Sequence, residues 1–227
     1  GPSAKIVATG TPTTCVGEKV IYNGSGSNNY NSLLWTFKGG TPATDTTVGP
    51  HTVTYTTKGT YTTYLKASDK TCASGNSTDS VKITVNDATT ISNAGSAKTV
   101  CGTTTTLAAN TPTAGTGTWV LVSGQGTITS PNSPTSTVTG LGIGPNVFRW
   151  TIANPPCSST TSTVTITGTG IPSTANAGAD QIICGGDSGP LNGNIPAIGT
   201  GKWALVSGAG TIVSPTSPYT TVTGLAI

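Results

Sequence analysis

The chain has 227 residues, of which only 7% are charged, and its formal net charge is +3. The ten Lys and Arg residues are scattered, with no basic run and no alternation of basic with aromatic residues, which excludes a nucleic-acid footprint. The longest apolar runs fall far short of a membrane span.

A hydrophobic share of 33% is low, yet disordered chains are rich in charge and poor in β-branched residues, and this chain is neither. Its commonest residue, Thr, is β-branched and suits the half-buried face of a sheet. The composition therefore predicts folded, turn-rich β structure. Methionine is absent, even at position 1, which predicts a processed or excised fragment; Gly1-Pro2-Ser3 reads as a remnant of tag removal and is set aside.

The first predicted unit covers residues 1–87. Its strands are Lys5–Thr9, Glu18–Tyr22, Leu33–Phe37, Thr52–Thr56, Tyr61–Ala67 and Ser80–Val85, with Cys15 near the second and Cys72 in the loop before the last. In Thr52–Thr56, Val53 and Tyr55 share one face and threonines the other, as in a strand half in water. Short strands separated by turns at this spacing describe a β-sandwich. Trp35-Thr-Phe37-Lys-Gly-Gly40, Pro50-His-Thr-Val53-Thr-Tyr55, Gly59-Thr-Tyr61 and Leu65 resemble the polycystic-kidney-disease (PKD) domain pattern. That resemblance implies Trp35 and Phe37 on central core strands. It departs at Lys38, where many members carry an acidic residue.

The second predicted unit, 88–170, has strands near Thr99–Val100, Thr104–Ala108, Thr118–Val122, Thr127–Thr129, Ser136–Thr139, Asn146–Ile152 and Ser162–Thr167. Trp119 and Leu121 should face inward with Phe148, Trp150 and Ile152, and Arg149 outward. Residues 116–143 then recur as 200–227: Trp119 as Trp203, Gly124–Ile128 as Gly208–Ile212, Val138–Leu141 as Val222–Leu225, all at an offset of 84. A recurrence this long marks an array of one repeated domain. The third unit, 171–227, stops at the counterpart of Ile143 and is expected to lack the last two strands. It should then expose a sheet edge and part of the core around Trp203, and pair with another copy or stay partly molten. The junctions near 87–90 and 168–174 are short, the second with Pro172, which predicts a semi-stiff rod.

Five cysteines lie at 15, 72, 101, 157 and 184, with Cys15 to Cys72 spaced 57 residues and Cys101 to Cys157 spaced 56. Near-equal spacings in phase with a Trp predict one disulfide inside each unit, Cys15–Cys72 and Cys101–Cys157, leaving Cys184 unpaired. Buried free thiols are the alternative. Loops of this size would contribute roughly 4 kcal/mol in the chain-entropy model, and disulfides imply an oxidising location outside the cytosol.

Catalysis needs convergent titratable groups. Seven carboxylates stand as singletons, His51 is the only histidine, and no Cys-x-x-Cys pair exists, so no enzyme activity, metal or cofactor is expected. His51, beside Pro50, reads as an exposed turn residue. Gly124-Gln-Gly126-Thr lacks the helix and Lys of a phosphate loop and reads as a hairpin turn.

Ala175-Asn-Ala-Gly178-Ala-Asp180-Gln…Cys184, followed by Gly-Thr-Gly-x-Trp-x-Leu-Val-Ser-Gly and Ser-Pro-x-Ser-Pro-x-x-x-Val-Thr-Gly-Leu, resembles the tandem units of SprB-type gliding-motility surface adhesins of Bacteroidota. The resemblance implies PKD-like and immunoglobulin-like sandwiches in series, type IX secretion and display on the outer membrane. It also implies contact with an external surface, glycan or polymer. The expected fold is thus all-β, tandem immunoglobulin-like and PKD-like sandwiches, and the expected role an adhesive stalk. The alternative is a spacer or carbohydrate-binding array of a secreted hydrolase.

Overall fold

The computed structural model describes residues 1–9, 12–69, 75–184 and 187–225, and no helix occurs among them. The first nine strands are β1 (Val7–Thr9), β2 (Thr13–Cys15), β3 (Lys19–Asn23), β4 (Ser32–Phe37), β5 (Gly40–Thr41), β6 (Thr44–Asp45), β7 (His51–Tyr55), β8 (Gly59–Ser68) and β9 (Asn76–Asn86). They form two sheets, β1-β3-β7-β5 and β2-β9-β8-β4-β6, closed over one apolar core. Period-2 patterning assigns the faces: in β7 His51, Val53 and Tyr55 point inward, while Thr52 is exposed.

Trp35 and Phe37 on β4 are fully buried and stacked, with ring centroids 5.4 Å apart. The Trp35 indole N–H donates to the Thr47 carbonyl at 2.9 Å. Tyr22 and Tyr55 meet hydroxyl to hydroxyl at 3.0 Å inside the core, and burial pushes the Tyr22 phenol well above its ordinary pKa. Ser3, set aside in the sequence, exchanges both backbone hydrogen bonds with Asn28 and so joins this body.

The next seven strands are β10 (Lys98–Val100), β11 (Thr105–Thr106), β12 (Thr116–Ser123), β13 (Thr127–Ile128), β14 (Thr137–Thr139), β15 (Gly144–Asn154) and β16 (Cys157–Gly168). Their sheets are β10-β16-β15-β12 and β11-β14-β13. Trp119, Phe148, Trp150 and Ile152 are buried between them and Arg149 is exposed, as alternation along β15 requires; Leu121 is half-buried at the margin. Trp119 and Trp150 sit directly opposite in the β12–β15 register, centroids 5.1 Å apart. Gly117 makes that possible, because a Cβ there would overlap the Trp150 indole.

The last three strands, β17 (Asp187–Asn192), β18 (Thr211–Ile212) and β19 (Tyr219–Thr223), form one sheet, β17-β19-β18. It repeats β11-β14-β13. Residues 200–206, the counterpart of β12, form no strand. Among the described residues no strand pairs with this segment as β15 pairs with β12 along its whole length. Trp203, expected as a core residue, is therefore only half-buried, and Leu205 and Val206 are exposed. Its indole still donates to Ser217, as that of Trp119 does to Pro134, so the local turn survives without the second layer.

Candidate functional site

The sequence offers no cluster of reactive groups, and the described residues bring together no three His, Cys, Asp or Glu side chains that could hold a metal ion. No helix among them is long and apolar enough to cross a membrane. The feature that stands out is covalent. Cys15 at the end of β2 is bonded to Cys157 at the start of β16, joining the first two units across 142 residues with Cα atoms 5.7 Å apart.

This corrects both expected pairings, Cys15–Cys72 and Cys101–Cys157. Topology is the reason. β2 runs parallel to β9, so Cys15 lies opposite Asn86, at the end where the chain leaves the unit. β9 begins at Asn76, and its 11 residues carry the chain about 33 Å to Asn86. Cys72 precedes that far start and lies outside the described residues. In the second unit β10 runs parallel to β16, with Val100 opposite Gly168. Cys101 and Cys157 thus sit at opposite ends of a strand about 36 Å long. Cys15 and Cys101 hold equal places at the exit ends of their units, and spacing along the chain does not imply proximity. Cys101 and Cys184 are free and exposed.

The bond is set in an ordered junction. The Glu18 carboxylate accepts from Cys15 N at 3.1 Å and from the Thr14 hydroxyl at 3.2 Å, holding the end of β2. Val16 N donates to Asn86 O at 3.0 Å. Across the boundary, Asn154 Nδ2 donates to Asp87 O at 2.9 Å, and Cys157 Sγ lies 3.3 Å from the same oxygen. Lys58 pairs with the Asp87 carboxylate at 2.8 Å; that hydrogen bond, and behind it the carboxylate charge, raises the Lys58 pKa. Both partners are largely exposed, so the pair orients more than it stabilises.

Beyond Asp87 the chain is fastened by side chains rather than by a strand ladder. The Thr90 hydroxyl oxygen accepts from Thr113 N and Ala114 N at 3.0 and 2.8 Å. The Thr160 hydroxyl accepts from Ser92 N and donates to Thr90 O. Asn110 receives Asn93 N and donates to Ile91 O. Thr and Asn side chains thus satisfy backbone groups of a segment that forms no strand.

Two further placements differ from the sequence reading. His51, expected as an exposed turn residue, is buried, its ring 5.1 Å from that of Trp35 and edge-on to it. Its Nε2 donates to Thr47 O at 3.0 Å, and Nδ1 lies 3.7 Å from Asp45 Oδ2. Asn146 was not singled out, yet it is buried at the far end of the second unit. Its amide donates to the carbonyls of Gly142, Gly144 and Ile166, and its Oδ1 accepts from Gln125 N. The signal available was a lone Asn opening an apolar strand.

No protein-family model and no curated protein matches the chain. Among solved structures it is similar to a carbohydrate-binding module of the β-sandwich superfamily, at 23% identity and TM-score 0.34, over 66% of this chain and 58% of that one. It is similar also to fibronectin(III)-like modules of Clostridium thermocellum CbhA, at 8% identity and TM-score 0.35, over 73% of this chain and 95% of that one. A third is the protocadherin gamma B2 extracellular cadherin domains 3–6, at 8% identity and TM-score 0.39, over 100% of this chain and 70% of that one. The chain thus spans little more than half the length of the first.

Proposed function

We propose that this chain is a tension-bearing segment of an extracellular, repeat-built adhesive stalk. The observation that carries the reading is the disulfide between units. A bond inside one sandwich would stabilise that sandwich, whereas Cys15–Cys157 fixes one module to the next, which matters to a protein whose task is to transmit force along its length. The bond also favours an oxidising, non-cytosolic location. The repeat at an offset of 84 and the sparsely charged, Thr-rich strand surfaces fit a rod that stays soluble without titratable chemistry.

The resemblance of 88–227 to SprB-type adhesins adds the finer reading: type IX secretion, outer-membrane display, gliding motility, and contact with an external glycan or polymer. Antibodies against this chain should label intact cells of the source organism and reduce their attachment under shear. Labelling only after permeabilisation would overturn the proposal. Saturable binding of the isolated chain on a glycan array would instead favour the carbohydrate-binding array.

A further inference from the structure

The first junction is stapled, and the second is built to the same plan with one half of the staple in place. Position 170 is the counterpart of 87, and 173 of 90, at an offset of 83 that becomes 84 after one extra residue between Cys184 and Asn194. At the second junction the Ser173 hydroxyl oxygen accepts from Ala197 N and Ile198 N at 2.9 and 3.1 Å, as that of Thr90 does from Thr113 and Ala114. Asn194 receives Asn176 N and donates to Thr174 O, as Asn110 does for Asn93 and Ile91. The segment that opens the third unit is therefore seated like the one that opens the second.

Cys101 occupies the place of Cys15. Each lies at the end of a short strand paired in parallel with the outgoing end of its unit's last strand: Cys15 closes β2 opposite Asn86, and Cys101 follows Val100, which is opposite Gly168. The Cys101 thiol is exposed and donates to Gly170 O at 3.1 Å. Gly170 is the counterpart of Asp87, whose carbonyl lies 3.3 Å from Cys157 Sγ in the finished bond. Two independent observations thus point to a sulfur partner: the equivalent cysteine is already bonded in the first unit, and the local junction is reproduced around the free one.

We propose that Cys101 is the acceptor half of a second inter-unit disulfide. Its partner would be the equivalent of Cys157 in a third unit that carries the full strand set, at position 241 if the offset of 84 is kept. Cys184, free and exposed, is the counterpart of Cys101 in the third unit. The rule is that the cysteine at the exit end of one unit bonds the hairpin cysteine of the next. Each bond forms from two thiols, which lose two protons and two electrons to a disulfide oxidant that is itself reduced to two thiols. The inference stands on the repeat and the junction geometry and holds whether or not the protein is an adhesin.

The test extends the chain with its own residues. Residues 144–168 are appended after Ile227, completing the third unit and placing a copy of Cys157 at position 241. A second variant joins 1–170 directly to another copy of 88–170, so that every unit carries the full strand set seen here. Both are oxidised in a glutathione redox buffer and mapped by non-reducing peptide mass spectrometry. The expected result is a bond from Cys101 to the appended copy of Cys157, with loss of Cys101 alkylation. In the first variant Cys184, and in the second the appended copy of Cys101, stays alkylatable. A bond within the appended unit, to Cys184 or to the appended copy of Cys101, would overturn the proposal. So would free Cys101 in the tandem variant while Cys15–Cys157 is formed.

Discussion

Cys15 and Cys157 belong to different sandwiches and are bonded to each other, so the covalent path from one to the other runs through two sulfur atoms rather than along a sequence separation of 142. Tension applied outside this loop bypasses β3–β9 of the first unit and β10–β15 of the second. The bond also couples the two unfolded chains. In the chain-entropy model a loop of this length contributes about 5 kcal/mol, shared between the units. The double variant Cys15→Ser, Cys157→Ser should keep its far-UV circular dichroism and lower the calorimetric transitions of both units. An unchanged thermogram would contradict the assignment.

Gly117 and Gly201 are counterparts in the repeat with opposite surroundings. A Cβ at Gly117 would drive into the Trp150 ring, whereas at Gly201 its nearest neighbour is the Pro196 ring at 3.9 Å. Gly117→Ala should destabilise the second unit by about 3 kcal/mol, at the upper end for overpacking. Gly201→Ala should leave the thermal transitions unmoved. Chemical denaturation followed by tryptophan fluorescence compares the two directly.

Asn146 gathers three carbonyls and one N–H at the closed end of the second unit. Asn146→Leu keeps the volume and leaves those groups without their partner, so it should cost about 3 kcal/mol. Amide exchange at Gln125 should accelerate first, because that N–H loses its acceptor. Protection at Gln125 equal to that of the parent chain would count against this role.

Asp45 is held below the usual carboxylate range first by the Thr47 backbone N–H at 2.8 Å, then by the Thr47 hydroxyl, and less by Thr46 and by His51. A depressed folded-state pKa contributes stability that is present above the ordinary aspartate value of 3.8 and is lost as pH falls through the lower folded-state value. The melting temperature of the first unit should therefore fall on acidification below that value, and fall less in Asp45→Ala. Parallel pH profiles for the two proteins would refute the assignment.

Much of the fold was legible because it rests on period-2 patterning. The inward set Val53 and Tyr55 on β7, and Phe148, Trp150 and Ile152 on β15, follows from alternation alone. The cysteine pairing was not legible, because spacing along the chain does not reveal which end of a long strand a residue occupies. Only the parallel pairing of β2 with β9 places Cys15 at the exit of its unit. His51 was misread for a related reason. Pro50 beside it marks a turn, yet the inward parity of β7 begins at His51 itself. Trp203 carries the same local sequence as Trp119 and is left half-buried because burial comes from β15, a strand remote in sequence.

The most direct measurement is a single-molecule pull on the 227-residue chain held at its two ends, before and after reductant. With the disulfide intact, complete extension should fall short by the length of the closed loop, about 500 Å for 142 residues at about 3.6 Å each. Reductant should release that length in the same molecule. Full extension without reductant would show that the units are not covalently stapled, and the account of a force-bypassing junction would fail.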